Sequence, residues 1–60
     1  MDRPAICIRH RRDGCKELLM ELPPGDHLAK LELDHLTAVK LLQELISPQR
    51  DEQWTRIAVR

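Results

Sequence analysis

Two cysteines and one histidine near the start of the chain are the residues whose types and spacing could bind a metal ion. Cys7 and His10 have the spacing of a zinc half-site, and Cys15 follows His10 after four intervening residues. The same side chains could form a Cys–His nucleophile pair. Both uses require the side chains to converge, so the local structure of this segment decides whether either is feasible.

Residues 5–22 predict a β-hairpin, because two runs of alternating apolar residues flank Asp13-Gly14. A two-residue turn would place Arg11 opposite Lys16. A three-residue turn at 12–14, with Gly14 in the left-handed region, makes the numbers of opposing residues sum to 26. We predict this second register because it pairs apolar with apolar residues and opposite charges with each other: Ile6 with Met20, Ile8 with Leu18, and Arg9 with Glu17.

The predicted register opposes chemistry at the hairpin. Cys7 and Cys15 fall on one face, His10 falls on the other, and the two thiols lie too far apart for one ion or for a disulfide bond. The sequence offers no third orienting group, oxyanion hole or phosphate-binding loop beside them. We therefore predict free thiols, no metal, no cofactor and no enzymatic activity.

The rest of the chain predicts a strand, a helix and a final strand. Pro23 and Pro24 end the hairpin, and residues 27–33 alternate well enough for a third strand, with a helical start as the alternative. Asp34 is a good N-cap for a helix over 35–46, which Pro48 ends. Residues 54–60 alternate again and predict the last strand. The helix has an apolar arc of about 160° at ~100° per residue, which comprises Ala38, Val39, Leu41, Leu42, Leu45 and Ile46.

This order predicts one α+β domain over residues 1–60, a β-β-β-α-β fold with one amphipathic helix on one face of an antiparallel or mixed sheet. We expect the last strand beside the first and parallel to it, in the order third, second, first, last. The expected core combines the helix arc with Leu31, Leu33, Ile57, Val59 and the even-numbered face of the hairpin. The odd-numbered face would remain uncovered.

The charges balance at 10 basic and 10 acidic residues, which argues against a general polyanion binder. They are nevertheless sorted along the chain: residues 1–16 sum to +3, residues 17–47 to −4 and residues 48–60 to +1. A basic hairpin made of Arg9, Arg11, Arg12 and Lys16 favours nucleic-acid contact as the alternative function. The acidic middle offers another surface, a negative patch that could mimic nucleic acid, formed by Glu17, Glu21, Glu32 and Glu44.

The uncovered sheet face predicts protein binding, through apolar residues that nothing in the chain would bury: Cys7, Leu19, Leu28 and Trp54. We predict a small regulator that binds a larger protein, as an inhibitor or adaptor of the kind that phages direct at host or defence machinery, with a homodimer as a further arrangement. No apolar run reaches the ~18 residues of a membrane span, and residues 1–4 lack the apolar stretch of a signal peptide. We therefore expect a cytoplasmic protein without a membrane partner.

Overall fold

The computed structural model describes residues 3–25 and 30–59. They form the strands β1 (Ala5–His10) and β2 (Lys16–Glu21), the helix α1 (His35–Leu45) and the strand β3 (Trp54–Ala58). The three strands make one sheet in the order β2-β1-β3, and both pairings are antiparallel. The predicted class, an α+β domain with one helix and an antiparallel sheet, is confirmed.

The hairpin has the predicted register and turn. Every pair from Ala5 with Glu21 to His10 with Lys16 sums to 26. The backbone N–H of Arg11 donates to the carbonyl of Cys15 at 2.9 Å, which leaves a three-residue turn between them. Gly14 has a φ of +90°, a conformation that only glycine adopts without steric cost.

The prediction of a third strand over 27–33 is wrong for residues 30–33, which belong to no strand. Residues 27–29 lie outside the described part of the chain. Leu31 and Leu33 nevertheless pack against the core, as predicted. Alternating leucines can bury their side chains in this way without backbone pairing, so the pattern alone does not distinguish a strand from an irregular segment.

The last strand lies beside β1, as predicted, but runs antiparallel to it, with Arg9 opposite Trp54 and Ala5 opposite Ala58. The direction agrees with the lack of a strand among the described residues between β2 and α1, 22–25 and 30–34. If each element reverses the chain, one strand fewer in this segment inverts the direction of the final strand.

The helix has the expected ends. The Asp34 side chain accepts a hydrogen bond from the backbone N–H of Thr37 at 3.3 Å, and Ile46 forms the C-cap two residues before Pro48. Within the described residues, no helix is long and apolar enough to cross a membrane.

The core lies between α1 and the β1–β3 half of the sheet. It consists of four buried side chains, Ile6, Ile8, Ile57 and Val59, against which pack Leu31, Leu33, Leu41 and Leu45. The main contacts of α1 with the sheet are on β3, away from β2. Five residues expected in the core are exposed: Leu18, Met20, Ala38, Leu42 and Ile46.

Candidate functional site

The outer face of the sheet, which is turned away from the core cluster, was expected to be an open apolar surface. It carries Cys7 and Arg9 on β1, flanked by Glu17, Leu19 and Glu21 on β2 and by Trp54 and Arg56 on β3. Charged side chains of the outer strands instead cross the central strand. The face is covered mainly by ion pairs.

The first ion pair covers Cys7. Arg56 Nε donates to Glu21 Oε2 at 3.2 Å, joining β3 to β2 across β1, and Cys7 Sγ donates to Glu21 Oε1 at 3.1 Å. Cys7 is consequently only 5% exposed, and Ala5 beside it is also buried. Burial raises the pKa of the Cys7 thiol, and the bond to the Glu21 carboxylate raises it further. Cys7 thus contributes little contact surface, and its thiolate is disfavoured.

The second ion pair lies one step further along the sheet. Arg9 Nε donates to Glu17 Oε1 at 3.0 Å, and the Arg9 guanidinium lies 5.1 Å from the centroid of the Trp54 ring. Leu19 and Trp54 are exposed, but they occupy diagonal positions on opposite edge strands. Leu28, the remaining residue of the predicted surface, lies outside the described residues.

The basic hairpin residues are mostly engaged within the chain. Besides the Arg9 pair, Arg11 Nη2 lies 2.8 Å from Asp13 Oδ2, and Lys16 Nζ donates to the Ser47 carbonyl at 2.9 Å. The Arg12 side chain is exposed, and its backbone N–H donates to the Glu52 carboxylate. A phosphate group would have to displace these internal partners of Arg9, Arg11 and Lys16.

His10 is 1% exposed and has partners at both ring nitrogens. Nδ1 lies 3.2 Å from Lys16 Nζ, and Nε2 lies 3.0 Å from Glu44 Oε1. An ammonium can only donate, so Nδ1 accepts from Lys16 and Nε2–H donates to Glu44, which assigns the neutral tautomer to His10. The Lys16–His10–Glu44 chain joins β2, β1 and the end of α1. These two contacts of His10 connect the end of the helix to the hairpin.

The four predicted acidic residues do not converge on one patch. Glu17 and Glu21 lie on the outer face, Glu44 binds His10, and Glu32 pairs with Lys30 at 3.2 Å before the helix. Each carboxylate faces a basic partner of this chain. Glu17 and Glu21 meet arginines from the other two segments of the sequence, so the charge sorting is partly neutralised between elements.

The two cysteines have different surroundings in the part of the chain described. Cys7 is buried, Cys15 is exposed and neither is disulfide-bonded. No group of three or more His, Cys, Asp or Glu side chains among the described residues could hold a metal ion. The register also places Cys7 and His10 on opposite faces of β1.

Two exposed apolar surfaces were not predicted from the sequence, although one of their residues, Leu19, was expected to be exposed. The outer helix stripe comprises Leu36, Val39, Leu42 and Ile46, of which all but the half-buried Val39 are 50% to 71% exposed. The β2 edge comprises Leu18, Leu19 and Met20, which are 41% to 59% exposed. The helix surface had one signal in the sequence, since an apolar arc of about 160° is wider than the stripe of about 100° that packing on one core requires.

Comparison with known proteins assigns no function to this arrangement. No family model matches the chain, and no curated protein or solved structure has significant similarity to it. The functional argument therefore depends on the exposed surfaces.

Proposed function

We propose that this protein is a small non-enzymatic regulator that binds a larger protein and presents the outer helix stripe to it. The observation that supports this proposal is the exposure of Leu36, Leu42 and Ile46 on a helix whose Leu41 and Leu45 already pack against the core. One helix thus has apolar side chains on two sides. A surface of this kind is typical of an interaction site.

The arrangement of the stripe suits insertion into an apolar groove. Val39, Leu42 and Ile46 stand at positions i, i+3 and i+7, the spacing of anchors in helix-in-groove recognition. At ~100° per residue the stripe spans about 120°; that arc also contains the polar residues His35 and Gln43 but no Asp, Glu, Lys or Arg of the helix. Binding would therefore desolvate no helix charge, which favours an apolar protein groove over a nucleic acid.

The test begins with capture of partners by the full chain from nuclease-treated extract, followed by binding measurements with the purified partner. We expect the double variant Leu42→Ser with Ile46→Ser to weaken binding at least ~30-fold, because a buried anchor contributes 2 kcal/mol or more. The control is Trp54→Ser, which changes an exposed apolar residue of the outer face away from the β2 edge and should retain affinity.

Three results would contradict the proposal. One is capture that depends entirely on nucleic acid, which would favour the basic hairpin. Another is full affinity of the helix variant, and the third is a partner whose own activity does not change on binding. Circular dichroism of both variants must show an intact fold before the affinities are compared.

A further inference from the structure

We propose that the β2 edge pairs antiparallel with the β2 edge of a second copy of this chain, which makes one continuous six-stranded sheet. This interface is distinct from the outer helix stripe. The dimer and the regulator proposal can therefore be tested separately.

β2 is an edge strand with a full set of outward backbone groups. The Cys15 carbonyl accepts from Arg11 of the hairpin, so odd-numbered residues direct their backbone groups towards β1. Successive residues alternate, and Leu18 and Met20 consequently direct their N–H and C=O groups away from the sheet. The register runs without a bulge from Lys16 to Glu21, and no proline interrupts it. The usual backbone devices that protect an edge strand are missing from β2 itself.

The charged residues of β2 also leave the edge unprotected. Lys16 is bound to His10 and to the Ser47 carbonyl, while Glu17 is bound to Arg9 and Glu21 to Arg56. All three charges are thus compensated by the strand's own sheet and helix. Between them lie three consecutive large apolar residues, which are exposed on both faces of the strand.

Pairing of β2 with β2 of a second copy is favoured because the three apolar residues 18–20 can lie opposite one another. A two-fold axis perpendicular to the sheet keeps each residue opposite one on the same face, so paired numbers must add to an even sum. A sum of 38 places Leu19 opposite Leu19 of the second copy, and Leu18 opposite Met20 of the second copy. A sum of 36 would instead place Glu17 opposite a leucine, and a sum of 40 would do the same to Glu21.

The register that sums to 38 sets like charges opposite each other at two symmetry-related positions, where Glu17 of each copy faces Glu21 of the other. Both carboxylates already have an arginine partner in their own chain, Arg9 and Arg56 respectively. The net charge at each end of the two paired β2 strands is therefore close to zero. The paired strands would also bury Leu18 and Met20, which α1 leaves uncovered.

The first experiment measures the mass of the purified chain in solution by sedimentation. We expect about 14 kDa, twice the 7.0 kDa of one chain. The variant Leu18→Lys with Met20→Lys should be monomeric, since it places lysines opposite each other, whereas Leu18→Lys with Met20→Glu should remain dimeric because it places Lys opposite Glu twice. The two variants remove the same apolar residues, so only charge pairing across the interface distinguishes them.

The second experiment fixes the register by a disulfide bond. Leu19 faces its own copy at a non-hydrogen-bonded position, where the Cα atoms lie ~4.5 Å apart, within the range for a disulfide. In a Cys15→Ser background, Leu19→Cys should form a cross-linked dimer with oxidised glutathione, and the control Leu36→Cys should not. A wild-type monomer up to about 1 mM, corresponding to at most ~4 kcal/mol of binding, would overturn the proposal. Equal masses of the two charge variants, or equal cross-linking of the two cysteine variants, would do so as well.

Discussion

Cys7 is protected by side chains that reach over it from both neighbouring strands. Arg56 comes from β3 and Glu21 from β2, and they meet above the central strand, with the Cys7 thiol donating to the same carboxylate. Cys15 lies just beyond the turn and is exposed. The two thiols of the chain therefore differ in access, and the thiolate form of Cys7 is disfavoured.

This difference predicts unequal alkylation. We expect iodoacetamide to modify Cys15 first, because burial and the Glu21 carboxylate raise the pKa of Cys7 and so reduce its thiolate fraction. The substitution Glu21→Gln should accelerate modification of Cys7, since it removes the neighbouring negative charge and one end of the ion pair. Peptide mass spectrometry over a time course measures both rates, with Glu32→Gln as the control. Equal rates at the two cysteines would contradict the buried position of Cys7.

At the scale of elements, α1 divides its apolar residues between two surfaces. Leu41 and Leu45 pack against the core, while Leu42 and Ile46 are exposed, although all four belong to one predicted arc. The division arises because the helix contacts mainly β3 and leaves β2 uncovered. The apolar pattern of the sequence cannot reveal this division. It gives the width of the apolar arc but not which part of that arc meets the sheet.

The same division predicts that Leu45→Ala and Leu42→Ala lower the free energy of unfolding by different amounts. Leu45→Ala should lower the free energy of unfolding by about 2 kcal/mol, the lower end of the range for a core leucine, because Leu45 is only partly buried. Leu42→Ala should change it by no more than ~0.5 kcal/mol, as for other exposed positions. Urea denaturation of both variants measures the difference. A larger cost for Leu42→Ala would mean that the helix presents its other side to the sheet.

The hairpin and the helix are the elements that the sequence specifies best. Arg9 and Glu17 select the register through charge, Gly14 supplies the turn, and Asp34 and Pro48 delimit the helix. These signals act over a few residues and can be interpreted without the fold. The position of the helix over β3, the cover above Cys7 and the irregular path of Leu31 depend on contacts between distant segments. Periodicity contains no information about them.

For the whole molecule, charges that are sorted along the sequence meet their opposites in the fold. The basic first segment supplies Arg9 to Glu17 of the acidic middle, and the last segment supplies Arg56 to Glu21. These two pairs neutralise opposite charges locally, and the net charge of the whole chain is also zero. Pairs at the surface stabilise modestly and are weakened by salt.

The shifted pKa values of Glu21, Asp13 and Cys7 predict that the free energy of unfolding is nearly constant around neutral pH and falls in both acid and alkali. The bonds from Cys7 and Arg56 lower the pKa of Glu21, and the backbone N–H of Cys15 lowers that of Asp13. Their stabilisation is therefore present above the ordinary values of 4.5 and 3.8 and is lost as pH falls through the lower folded values. Cys7 behaves in the opposite sense, because its folded pKa is raised: its contribution is present below 9.0 and is lost as pH rises through the folded value.

Urea midpoints measured across the pH range test this plateau. Glu21→Gln should reduce the loss of stability in acid, and Cys7→Ser should reduce the loss in alkali, while Glu32→Gln should leave both limits in place. An acid limit that is unaltered in Glu21→Gln would show that other groups control it.

The central position of β1 has a consequence for the order of folding. On one side β1 meets β2 after a three-residue turn, and on the other side it meets β3, with Trp54 opposite Arg9, 45 positions apart (54 minus 9). A hairpin closes within roughly 1–10 μs, whereas pairing across a long loop is slower because the entropy cost of closure comes before its contacts form. The hairpin should thus exist first as an unstable two-stranded ribbon with Ile6 and Ile8 in water. Arrival of the last strand, rather than formation of the turn, would then limit the folding rate.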